Sequence, residues 1–185
     1  MATPEELNAV KEALGEVTRM LEKMRSCLSV LSEDQVLWVP PGEDVWPIQR
    51  AVAHCVNCEH RAITELARAL EGKPTPETVA ADTGIFAWFG PTPYALARMV
   101  AELRAQIAAL SDTLDPSHLG VKAVRYPKHP PRALRNYVEV MRRHTERHLA
   151  GIQRKMEVMP AGKAWDAEVR EMYPQFARGA SEDRG

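Results

Sequence analysis

Apolar residues recur through the N-terminal segment at alternating gaps of three and four: Leu7, Val10, Leu14, Val17, Leu21, Met24, Leu28 and Leu31. That spacing tracks the 3.6-residue turn and gathers all of them on one face. It predicts a helix from about Pro4 to Leu31, packed nearly parallel to its neighbours, with Pro4 suited to its first turn. A second helix is predicted from near Trp46–Ile48 to about Glu71. Its stripe is Ile48, Val52, Cys55, Ile63, Leu66 and Leu70, and Gly72 and Pro74 stop it. A third runs from about Thr92 to Leu114 through Leu96, Met99, Val100, Leu103, Ile107 and Leu110, ended by Asp115-Pro116. A fourth runs from about Arg132 to Met156 and is closed by Pro160 and Gly162. No segment predicts a strand. The expectation is an all-α fold, a four-helix bundle.

The connections differ in character. SEDQVLWVPPGEDVW joins the first two helices through a Pro-Pro-Gly turn. KPTPETVAADTGIFAWFGPTP joins the second and third, and a loop of that length is expected to be a crossover or a lid. Its aromatic cluster, Ile85 to Phe89 with Trp88 at its heart, either caps the end of the bundle or lines a pocket. The third connection, DPSHLGVKAVRYPKHPP, reads as irregular. One bundle domain is expected over residues 1–160. A tail over residues 161–185 follows, in which AWDAEVREMY could form one short helix.

The fourth helix carries an anomaly. Its core-facing series is Leu134, Tyr137, Met141, His144, His148, Ile152, so two imidazoles occupy places where the stripe should be apolar. Four residues apart, they stand one above the other, close enough to share an ion. Either a metal or hydrogen-bond partners must offset their burial. The spacing excludes a zinc-protease helix: the segment is His-Thr-Glu-Arg-His, and Glu146 points about 200° round from His144. His54, early in the second helix, is the best candidate for a third ligand, although it falls on the margin of its apolar stripe beside Ala51, Cys58 and Ala62. A margin position suits a ligand at a pocket mouth and equally a surface histidine. His60, His118 and His129 are expected to bind nothing.

Composition narrows the rest. With 185 residues and 45% apolar content the chain can bury one real core, and a formal charge of -1 gives no general attraction to nucleic acid or an acidic membrane. No stretch suggests a membrane span or a signal peptide, so a cytoplasmic location is expected. Three cysteines, Cys27, Cys55 and Cys58, make no disulfide framework. The Cys55/Cys58 pair lies in a helix with no strand before it, and reads as two small buried side chains rather than a redox motif.

Three stretches together resemble the DinB/YfiT-like family. One is Trp46-Pro-Ile48-Gln-Arg-Ala-Val52-Ala-His54 with Glu59 five residues on; another is His144-Thr-Glu-Arg-His148-Leu-Ala-Gly-Ile; the third is the approach LSEDQVLWVPPGEDVW. The similarity spans roughly residues 5–156. It implies a bundle with up-down-down-up helix directions, the long crossover lying between helices two and three. It implies a divalent metal, nickel or zinc, held by His54, His144 and His148, and a homodimer. Characterised relatives include S-transferases using bacillithiol and maleylpyruvate isomerases using mycothiol or glutathione. The expected partners are therefore a low-molecular-weight thiol and a small electrophile. The rival expectation is a non-catalytic metal-binding or stress-related interaction protein. Cys58 departs from the family picture: one turn from His54, its thiol could add a ligand or be oxidised.

Overall fold

The computed structural model of the chain describes residues 3–41, 45–73, 92–123 and 130–160. It contains α1 (Pro4–Leu28), α2 (Glu33–Leu37), α3 (Ile48–Leu70), α4 (Pro93–Thr113) and α5 (Leu134–Val158), with a 3-10 turn at Pro116–Gly120 and two short strands, β1 (Lys122–Ala123) and β2 (Arg132–Ala133). The four long helices form a bundle. α1 packs along α4 and α5, and α3 packs along the same pair, so α1 and α3 take opposite corners. The stripes read from the sequence meet in the middle: Leu14, Val17, Leu21, Met24, Leu28, Val52, Leu66, Val100, Ile107 and Met141 are all fully buried. Burying side chains of this size supplies the main drive to fold, roughly 1.5–3 kcal/mol each.

Helix ends follow local chemistry. Thr3 caps α1, its hydroxyl accepting from the Glu6 amide while the Glu6 carboxylate accepts from the Thr3 amide. α1 stops at Leu28 rather than Leu31, because Ser32 and Gln35 form a second reciprocal cap that starts α2 in what reads as a plain connection. Gln35 Nε2 then donates to the Pro160 carbonyl at 3.0 Å and ties α2 to the end of α5. Gly72, at φ +69°, ends α3 in the left-handed conformation, and the Lys73 amide reaches back to the Arg68 carbonyl at 2.9 Å.

Two short strands that no periodicity predicted flank the end of the third connection: β1 lies within it, and β2 takes Arg132 and Ala133, where the sequence predicts the start of the fourth helix, so α5 begins at Leu134 instead. They pair antiparallel, Lys122 with Ala133 and Ala123 with Arg132. Two residues are too few for a period-two pattern to register. The pair leads straight into α5, whose first amide, on Leu134, donates to the Val121 carbonyl. The aromatic cluster Ile85 to Phe89, His129 and the proposed tail helix lie outside the described residues. Among the described residues no helix is long and apolar enough to cross a membrane.

One buried polar contact joins the helices that matter below. The Tyr137 hydroxyl on α5 donates to the Ala62 carbonyl on α3 at 3.0 Å. Tyr137→Phe keeps the ring and removes this bond, and should lower unfolding free energy by about 1 kcal/mol. Urea denaturation measures this; an unchanged midpoint would mean that the bond contributes nothing net.

Candidate metal centre

The site is built on the faces that α3 and α5 turn to each other. On α3, His54 and Cys58 stand one turn apart and share a side of the helix. The neighbouring side chains are small (Ala51, Ala53, Cys55 and Ala62 are all buried), which leaves room for imidazoles between the two helices. Cys58 is itself buried, and His54 is half-buried at the edge, as its margin position implies. Further round, Cys55, Glu59, Ile63 and Leu66 run at gaps of four, four and three along the core stripe, so a carboxylate with 0% exposure sits among apolar neighbours.

On α5 the core positions are Leu134, Tyr137, Val138, Met141, Thr145, Leu149 and Ile152. This corrects the sequence reading, which put His144 and His148 in that series. Thr145 and Leu149 hold the places between Met141 and Ile152. Each histidine precedes one of them by a residue, about 100° round the helix, and is half-buried on the flank. The charged residues fall outward: Arg143, Glu146 and Arg147 are exposed, and Arg142 and Arg143 both pair with Glu139.

The three imidazoles cluster, with His144 between the other two. His148 Nε2 lies 3.1 Å from His144 Nε2, and His144 Nε2 lies 3.4 Å from His54 Nε2. The His54 and His148 ring centres are 5.2 Å apart. Behind them, His144 Nδ1 is 2.6 Å from Glu59 Oε1. An ionised carboxylate can only accept, so Nδ1 carries the proton and Nε2 keeps its lone pair on the side of the other two rings. Burial, more than the like charges of His144, His54, Arg147 and Lys155, pushes His148 down to about 4, which leaves it neutral at physiological pH. Trp46 packs edge-on to His54 at 5.0 Å, and the Arg50 guanidinium lies over the Trp46 ring at 4.4 Å. Trp46 keeps 38% of its surface exposed, so this stack forms the outer rim.

The distances suit a metal. Two nitrogens bound tetrahedrally at about 2.0–2.1 Å are separated by about 3.3–3.4 Å, and two at right angles in an octahedron by about 3.0 Å. The observed separations of 3.1 and 3.4 Å span that range. Sulfur is also at hand: single donor atoms of His54, Cys58 and His144 all lie within 4.8 Å of one another. This set of imidazoles and a thiol suits a divalent ion of the first transition row better than calcium or magnesium, which take oxygen. The remaining described histidines stand apart. His60 is exposed, and His118 Nδ1 accepts from the Asp115 amide in the 3-10 turn.

Glu59 is the site residue that the apolar pattern alone passes over. Its signal was present all the same. The α3 stripe skips from Cys55 to Ile63, and Glu59 occupies the missing step.

A sequence profile of the DinB superfamily matches residues 16–152. Among solved structures, YfiT from Bacillus subtilis superposes with a TM-score of 0.65 at 15% identity, over 85% of this chain and 89% of that one. That protein is described as "a probable metal-dependent hydrolase with an unusual four-helix bundle topology". No curated protein matches the sequence.

If Glu59 orients His144, removing its charge should weaken metal binding without removing a ligand. Glu59→Gln is expected to lower zinc affinity about tenfold, at the mild end for such supporting groups. Competition with a chromophoric chelator reads this; equal affinities would reduce Glu59 to a packing role.

Proposed function

Because the chain belongs to the DinB superfamily, we propose that it is a divalent-metal-dependent enzyme in which His54, His144 and His148 hold the ion. Its substrates are a low-molecular-weight thiol and a small electrophile. The observation that supports this reading is the pair of Nε2–Nε2 separations, 3.4 Å from His144 to His54 on the facing helix and 3.1 Å from His144 to His148 on its own. The ion would supply Lewis acidity, lowering the pKa of a thiol so that it attacks as its anion near neutral pH.

The chain's own residues do the rest. Glu59 fixes the tautomer and direction of His144 from behind. Neutral His148 offers a lone pair without prior loss of a proton. Trp46 walls the rim beside His54, and Arg50 lies across its outer face, where an incoming substrate meets a flat apolar surface and a positive charge. Apolar walls strengthen the electrostatics of the donors inside.

A second reading keeps the ion and changes the nucleophile: a water in place of the thiol, giving hydrolysis. The description of YfiT as a probable metal-dependent hydrolase favours it. Both readings need the same ligands and part only at the substrate.

Purified without chelator or histidine tag, the protein should carry about one divalent ion per chain, and His148→Ala should lose most of it, as expected when one of three ligands goes. Glutathione, bacillithiol and mycothiol, each offered with a chlorinated aromatic acceptor, should then give metal-dependent conjugation with at least one thiol. Metal-dependent cleavage of activated esters with no thiol conjugation would favour hydrolysis. Equal, negligible metal in wild type and variant would remove the basis for both.

A further inference from the structure

The rim of the centre carries positive charge that the three histidines do not account for. Arg50 stands one turn before His54 on α3, held over the Trp46 ring at 4.4 Å. On α5, Arg147 and Lys155 lie near enough to His148 for their charges to add to burial, and to the charges of His144 and His54, in holding its pKa down. Among the described residues, none of these three cations pairs with a carboxylate, whereas Glu139 pairs with both Arg142 and Arg143. Gly151 lies midway between Arg147 and Lys155, four residues from each, so the three share one stripe of α5. A Cβ on Gly151 would meet nothing within 4 Å, so open space stands over it. Glycine weakens a helix interior relative to alanine, and no close approach of the described chain requires it here.

The contacts between α3 and α5 run in opposite directions along the two helices: Ala62 meets Tyr137, Glu59 meets His144, and His54 meets His148. Continued by one turn, that register brings Arg50 level with Gly151 and Ile152. The bare patch over Gly151 therefore lies beside His148, with cations from both helices around it. We propose that this patch seats a carboxylate of the substrate thiol, and that Arg50, Arg147 and Lys155 select thiols carrying an acid over neutral ones. The seat rests on the thiol reading above and narrows it to acidic thiols.

The chemistry of the rim fits an acid. The Glu59 carboxylate is already engaged by His144, and a divalent ion would add to the positive field of the rim, which favours an anionic ligand over a neutral one. The guanidinium of Arg50 presents a planar fork that matches a carboxylate, and its stacking on Trp46 limits the directions in which that fork can point. Arg50 is one helix turn from His54, about 5.4 Å along the axis. A ligand with its sulfur at the histidines and its acid at Arg50 must therefore separate the two by several bonds, as a peptide thiol such as glutathione does.

The test uses the full chain loaded with zinc and titrated in a calorimeter with reduced glutathione and with glutathione diethyl ester, which keeps the thiol and masks both acids. Wild type should bind glutathione about tenfold more tightly than the ester, as two or three rim contacts of this kind supply. The Arg50→Gln/Lys155→Gln variant should lose that preference, with ester affinity and zinc content unchanged. The Arg19→Gln/Lys23→Gln variant removes two exposed charges from α1, at the opposite corner from α3, and should keep it. Gly151→Leu keeps every charge but fills the patch, and should weaken glutathione binding at unchanged zinc content. Equal affinities in wild type would overturn the seat and leave the metal centre standing. So would a preference that survives Arg50→Gln/Lys155→Gln or falls equally in the α1 variant, and so would undiminished glutathione binding by Gly151→Leu. Zinc bound with no affinity for either probe would overturn the thiol reading and the seat with it. No zinc bound in wild type would overturn the histidine site beneath both.

Discussion

The site depends on one hydrogen bond between helices, from His144 on α5 to Glu59 on α3. A carboxylate with no exposure is costly to bury unless a strong donor meets it, and a 2.6 Å contact with an imidazole N–H is such a donor. The same bond fixes the sliding register of the two helices. A slip of one turn, about 5.4 Å, would break it and carry His144 past His54. The Tyr137 hydroxyl on the Ala62 carbonyl holds the same two helices further along each. The apolar contacts between α3 and α5 tolerate small shifts that these directional bonds do not.

Much of this was legible in the sequence, for reasons that differ by element. The four long helices announce themselves because each must bury a continuous stripe, and gaps of three and four sustained over more than twenty residues fit a helix and not a strand. The break after Leu28 was harder. Leu31 continues the apolar rhythm of α1, yet the Ser32–Gln35 cap gives the backbone a better set of partners than one more turn would. His144 and His148 stood out as breaks in a stripe, but the periodicity alone put them about 100° from where they lie. Thr145 is as short as an apolar core residue and fills the core position, so the rings are left at the interface between helices. Glu59 entered only through the family resemblance, and its place behind His144 was not legible, because the apolar pattern of α3 still reads as amphipathic without it. What no sequence pattern can supply is the pairing of α3 with α5, which comes from the three-dimensional order of the helices.

The same geometry holds the rings in place. Nδ1 of His144 is anchored to Glu59, and its Nε2 lies within hydrogen-bond distance of both other rings. The edge-on contact of Trp46 holds the outermost ring, on His54, in place. Ligands held in this way need little reorganisation on binding, and that is how a protein gains affinity without adding contacts.

His54 and His144 stand ninety positions apart in the chain, contributed by helices from its two halves. A fragment that contains only one of them lacks the full set of donors. An ion that prefers the assembled centre stabilises the folded chain by mass action, by about 2.7 kcal/mol when free metal exceeds its dissociation constant a hundredfold and the unfolded chain does not bind it. For a small domain, that is a sizeable share of the total. The availability of metal would set how long the chain lasts against heat and proteolysis as well as whether it is active.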